Sequence, residues 1–239
     1  MEKRKTIKRA NLRWANLFVA VLLLCGWMAN SLAKEGQEGK MDLNALTHET
    51  QRMTQKADEM TLVWWIPEEF WWATFAQNPT MTKTQTEEFV KVLRPYTFIA
   101  VVDGKIGAFG GVTYRTEAEI RAGTQIKDRQ GARYRPLSED KLDADTKNFL
   151  SMMKPILVNM LGPLGQNMHF LLFPAKDKNG QNIADAKKEG AFSVELGERR
   201  FRWRLPLSSL FPPKICSKCQ EKCSGVWNYC PWCGTKLPK

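Results

Sequence analysis

An α+β fold with a largely antiparallel sheet and packed helices is predicted by three observations. Short apolar runs pair across tight-turn signals, helical patterns of unequal length interrupt those pairs, and no repeat of fixed period runs through the chain. The chain also divides by composition into a basic and apolar front, a body without cysteine, and a short cysteine-rich tail. That division predicts a leader at 1–33, a flexible start with a surface helix at 34–60, a domain at 61–211 and a small module at 212–239.

The front holds Lys3, Arg4, Lys5, Lys8, Arg9 and Arg13 against the acid Glu2. The apolar run Leu17–Met28 follows, and then the small residues Ser31 and Ala33. A basic start, an apolar centre and small residues at the end are the three parts of a secretory signal peptide. Cleavage after Ala33 and export to the periplasm or the exterior are therefore expected, with a released chain that starts at Lys34. The alternative is an uncleaved anchor formed by residues 17–33, but the apolar run of 12 residues is short against the roughly 20 that a stable membrane span needs. Cys25 follows Leu24 rather than a small residue, which speaks against lipidation.

The net charge of +11 is unevenly spread. Residues 1–33 carry +5 and residues 214–239 carry +4, which leaves about +2 for the body. A body so close to neutral does not present the broad basic surface that a nucleic-acid partner selects. The expected partner is another protein or an envelope component, with membrane contact only if the leader is retained.

Within the chain, Lys34–Lys40 is rich in glycine and charge and reads as a flexible start. Met41–Met60 has helical composition, and its sparse apolar positions Leu43, Leu46, Met53 and Met60 predict a helix on the surface. Thr61–Ile66 reads as a strand; Pro67, Glu68 and Glu69 then open a short helix, because proline and acids suit a helix N-terminus. A second helix begins at Thr84 and ends at Pro95, with Phe89, Val92 and Leu93 as its apolar stripe. Thr97–Val102 and Lys105–Phe109 predict a hairpin turning at Asp103-Gly104. Ile120–Ile126 and Ala132–Leu137 read as another strand pair around Arg129-Gln130-Gly131.

Ser138 opens the longest predicted helix, kinked by Pro155 and ended by Gly162-Pro163. Met168–Phe173 reads as a buried strand, and Ala191–Leu196 with Arg199–Leu205 as a final hairpin around Gly197-Glu198. Pro212-Pro213 then closes the body as a stiff hinge.

The tail carries Cys216-Ser-Lys-Cys219 and Cys230-Pro-Trp-Cys233-Gly234, with ten residues between the pairs. A Cys-x-x-Cys turn aims backbone amides at both sulfurs, and a glycine after the second cysteine relieves the backbone there. The second pair has that glycine; the first has Gln220 instead. This segment resembles the zinc-ribbon family over residues 214–237 only. The resemblance implies a structural site in which Cys216, Cys219, Cys230 and Cys233 hold zinc and leave no position open for a substrate. Iron is the alternative metal, since tetrahedral all-sulfur sites take either. Disulfides are the alternative to a metal outside the cytosol, and Cys223 is the odd cysteine of the tail.

Other signals are weaker. Trp64, Trp65, Phe70, Trp71, Trp72 and Phe75 form an aromatic cluster that reads as core before it reads as a binding surface. Alternation puts Arg200, Arg202 and Arg204 on one strand face, and Arg133 and Arg135 on another. If the two strands neighbour each other, these residues make a basic surface; otherwise they are the solvated side of a half-buried sheet. Asp177–Lys188 spaces oxygen ligands as calcium loops do, but an Asn179-Gly180 turn explains it more simply. His48 and His169 are the two histidines, and neither sits in a recognisable catalytic pattern.

The expected function is that of a non-catalytic binding or structural protein outside the cell interior. The alternatives are a thiol-redox protein that uses its Cys-x-x-Cys pairs, or a nucleic-acid-binding protein if the leader is not a signal peptide.

Overall fold

The computed structural model describes residues 41–54 and 56–238; the leader reading on residues 1–33 lies outside the described residues. Two antiparallel sheets form the body. In the first, β1 (Gln51–Met53), β2 (Glu59–Trp65) and β3 (Tyr96–Ile106) lie side by side. The 11-residue β3 is long enough for its far edge to take two partners, β7 (His169–Pro174) against Tyr96–Val101 and β4 (Val112–Tyr114) against Gly104–Ile106. The second sheet has the order β6 (Arg133–Tyr134), β5 (Thr124–Lys127), β8 (Gly190–Leu196) and β9 (Arg199–Leu205). The class is α+β with antiparallel sheets.

The central strand β3 is buried on both faces, from Thr97 to Gly104. Its Phe98 faces the helices. α2 (Glu68–Phe75), α3 (Lys83–Leu93) and α5 (Ala144–Leu161) bring Trp71, Phe89 and Phe149 together, and the rings of Trp71, Phe149 and Phe170 stand 5.2 to 6.3 Å from that of Phe98. The opposite face meets the second sheet, where Trp65 stands edge-on to Phe192 at 4.9 Å and Phe192 stacks on Trp203 at 5.0 Å. Trp203 is fully buried, and its indole N–H donates to the Thr50 carbonyl at 3.0 Å. A Trp to Ala change at such a site costs about 3 to 5 kcal/mol. The aromatic cluster is thus core, with Trp65, Phe70, Trp71 and Phe75 buried and Trp64 and Trp72 partly so.

Caps fix the helix starts. Thr82 and Gln85 form a reciprocal capping box on α3, and Asp143 accepts the Thr146 amide at 2.7 Å on α5. α5 runs through Pro155 and stops at Gly162.

Three local expectations are corrected. The helix α1 spans only Leu43–Thr50, after which the chain turns into β1. It lies at the surface with one side packed inward: Leu46 and Thr50 are fully buried, and Asn44 and His48 are exposed. Asp103-Gly104 does not turn: β3 continues through it, and Asp103 is 2% exposed against the second sheet. Glycine is needed at 104 for space, because a Cβ there would sit 2.9 Å from Val112 Cγ1. The reversal comes instead at Gly107–Gly111, where the two ends exchange a 2.7 Å hydrogen bond. Finally, Ile120 lies in α4 (Glu117–Gly123), which Thr116 and Glu119 cap reciprocally; only Thr124–Lys127 is strand.

Candidate metal centre

The tail folds around its own small core of Cys216, Cys223, Cys230 and Leu237, apart from the core of the body. Its frame is the two-residue ladder of β10 (Lys214–Ile215) with β11 (Lys222–Cys223) and a bridge between Tyr229 and Lys236. The module rests on the end of the body: a Cβ on Gly225 would overlap the Pro212 carbonyl oxygen and crowd Phe211.

Two knuckles of the same construction carry the cysteines. In the first, the Cys216 amide donates to Glu221 O at 3.0 Å and the Gln220 amide to Cys216 O at 3.0 Å. In the second, the Cys230 amide donates to Thr235 O at 2.8 Å and the Gly234 amide to Cys230 O at 2.9 Å. The residue after each second cysteine is left-handed, Gln220 at φ 60° and Gly234 at φ 72°. The first knuckle therefore keeps its geometry without glycine, at the steric cost a side chain meets in that region.

The knuckles face each other, and all four sulfurs lie within 4.8 Å of one another. Cys216 Sγ is 3.5 Å from Cys233 Sγ, and Cys219 Sγ is 3.6 Å from Cys230 Sγ. A metal with bonds of about 2.3 Å to four thiolates needs sulfur–sulfur edges of about 3.8 Å. The separations bracket that edge and exceed the roughly 2.0 Å of a disulfide. Cys216 and Cys230 are buried, while Cys219 and Cys233 are half-buried.

Electrostatics distinguish the four thiols. The Thr235 hydroxyl, 3.3 Å from Cys233 Sγ, and the Thr235 amide stabilise a thiolate and bring the Cys233 pKa down to about 6. The Glu221 amide favours the Cys219 thiolate, yet burial and the three neighbouring sulfurs push that thiol up to about 12. Burial acts against the Cys230 thiolate, but the Cys233 and Trp232 amides outweigh it and lower that thiol too, so two of the sulfurs favour ionisation while Cys219 opposes it. A divalent cation held by Cys216, Cys219, Cys230 and Cys233 would offset that opposition and favour the thiolate form of all four. Cys223 stays outside the set: it is 2% exposed, its Sγ stands 3.6 Å from Glu221 O, and burial pushes it up to about 11.

Elsewhere the predicted features resolve into structure. Asp177 Oδ1 accepts the amides of Asn179 and Gln181, both at 2.8 Å, and Gly180 turns at φ 76°; the carboxylate shapes its own loop. His48 is exposed on α1, and His169 Nδ1 stands 3.6 Å from Glu117 Oε2, so the two histidines serve different elements. Arg133 and Arg200 to Arg204 do share a sheet, but β5 and β8 lie between their strands. The buried Glu195 sits among them, 2.6 Å from Arg200 and 3.6 Å from Arg133. Arg135 points elsewhere, toward Ala122 O.

Sequence reading missed Arg199. It has the same parity on β9 as Phe201 and Trp203, so strict alternation places it inward, where a charge needs a partner. It also missed the Thr116-x-x-Glu119 capping box, a local signal for α4.

No protein-family model, curated protein or solved structure matches the chain. The four-cysteine cluster, which could hold a metal ion, is consistent with a zinc-ribbon-like module.

Proposed function

We propose that this is an exported, non-catalytic binding or structural protein whose tail is a zinc ribbon. The observation that carries this reading is the closed cluster of Cys216, Cys219, Cys230 and Cys233, with all sulfurs within 4.8 Å. Four thiolates complete a tetrahedral shell and leave no position for a substrate, so the metal supplies folding energy to a module too small for a full core. Zinc is the proposed metal, and iron, which tetrahedral all-sulfur sites also take, is the alternative that metal analysis distinguishes.

The perturbed acids of the body support the non-catalytic half of the reading. Asp103 and Glu68 are committed to arginines on other elements, Asp143 to a helix cap, and Glu49 to the amides of Ser208 and Ser209. Export rests on the basic and apolar pattern of residues 1–33.

Metal analysis of the chain purified from its own cell fraction tests the proposal. One zinc per chain in material that begins at Lys34 is expected. Thiol trapping in intact cells separates the redox alternative, in which one Cys-x-x-Cys pair cycles between oxidised and reduced forms.

A further inference from the structure

The ribbon exposes more apolar surface than its size explains. Of the six large hydrophobic side chains exposed among the described residues, four lie on it: Ile215 (52%), Trp227 (42%), Tyr229 (61%) and Trp232 (61%). Trp227 and Trp232 face each other at 6.3 Å with their planes 53° apart, a paired aromatic surface rather than two scattered residues. The module is too small to bury them, since its interior is filled by cysteines and Leu237. Exposed tryptophans in such a cluster mark a contact site.

The charge around them indicates the occupant. Lys214 donates to the Trp227 carbonyl at 3.0 Å, which holds a cation at the Trp227 backbone. Lys218, Lys222 and Lys236 are exposed on the same module, and Glu221 is its one acid. Tryptophan and tyrosine with lysine is the combination that settles at a lipid–water boundary, with rings at the headgroup level and cations against anionic headgroups. The export proposed from the basic and apolar segment 3–28 would bring the chain to a bilayer. Each lysine near an anionic surface strengthens such binding about fivefold.

We propose that the Trp227–Trp232 face of the ribbon docks on an anionic lipid surface. The rings seat among the headgroups, and the exposed lysines of this small module supply the preference for negative charge. This inference rests on the proposed metal-loaded ribbon, because Trp232 lies inside the second knuckle and Trp227 in the segment that joins the two.

The test uses the chain from Lys34 onward, which keeps every described residue, with zinc content measured on each sample. Co-sedimentation is compared for vesicles of phosphatidylcholine with phosphatidylglycerol and for phosphatidylcholine alone. Binding to the anionic vesicles, weakened about tenfold by W227S/W232S and about fivefold by Lys222→Gln, is expected. A zinc-loaded chain that ignores anionic vesicles overturns the inference while leaving the proposed function intact. Equal binding by the tryptophan variant overturns it too, as does complete displacement from vesicles by a short single-stranded oligonucleotide, which would identify a nucleic-acid surface. A chain that contains no metal contradicts the proposed function itself.

Discussion

Arg199 and Asp103 tie the two sheets of the body together. The guanidinium of Arg199, on β9, donates to both carboxylate oxygens of Asp103, on β3, at 2.8 and 2.6 Å, and also to the Thr61 hydroxyl at 2.6 Å. Arg115 approaches the same carboxylate at 3.3 Å, and Glu59 approaches Arg199 at 3.3 Å. Asp103 is 2% exposed, so a broken pair leaves an uncompensated charge between the sheets. Asp103→Asn is expected to cost about 3 kcal/mol in denaturant unfolding. A change within experimental error would show that the pair does not join the layers.

The same carboxylate makes stability depend on acidity. Burial alone would raise its pKa, but Arg199, Thr61 and Arg115 outweigh burial and hold it below the usual aspartate range. Glu68 is lowered as well, first by its bonds to Arg94. A depressed folded value means that the stabilisation is complete above the unfolded pKa, about 4. It is lost as pH falls through the lower folded value. Unfolding followed by near-ultraviolet circular dichroism should therefore show a plateau near neutrality and a decline below about pH 4. Asp103→Asn should make that decline shallower.

The first knuckle holds a side chain where its twin has glycine. Gln220 at φ 60° meets the steric cost of the left-handed region, about 1 kcal/mol, and a β-branched residue meets more. Gln220→Gly should keep or slightly tighten metal retention in a chelator competition, its relief partly offset by a more flexible unfolded chain. Gln220→Val should loosen retention about tenfold. Equal retention in both variants would mean that the turn does not constrain the site.

Much of this was legible in the sequence. The β8–β9 hairpin, the strand β7 and the cysteine knuckles rest on local signals: Gly197-Glu198 between alternating runs, a continuous apolar stretch, and Cys-x-x-Cys spacing. Asp103-Gly104 misled because its local chemistry favours a turn. The decisive partner, Arg199, lies 96 residues away and pulls the aspartate inward. The short α1 was hidden for a similar reason. Leu46 alone makes a thin stripe, but Thr50 adds to the buried face and its carbonyl accepts from Trp203. Within the site, the clustering of Cys216, Cys219, Cys230 and Cys233 followed from spacing. The burial of Cys223 in the module core did not, since nothing nearby in the chain shows which way it points.

Separate cores predict separate unfolding. If the proposed metal holds the tail's small core, a chelator should release amide protection over residues 214–238 while β3 and β7, which belong to the separate aromatic core, stay protected. Collapse of both regions together would show that the module is integral to the body.

Native mass spectrometry of the chain purified from its own cell fraction, before and after alkylation, bears most directly on the candidate metal site. One zinc per chain is predicted, with Cys216, Cys219, Cys230 and Cys233 reduced and shielded from alkylation until the metal is stripped. Cys223→Ser should keep that zinc, and Cys230→Ser should lose it. A metal-free chain with these four cysteines joined in disulfides would contradict the account.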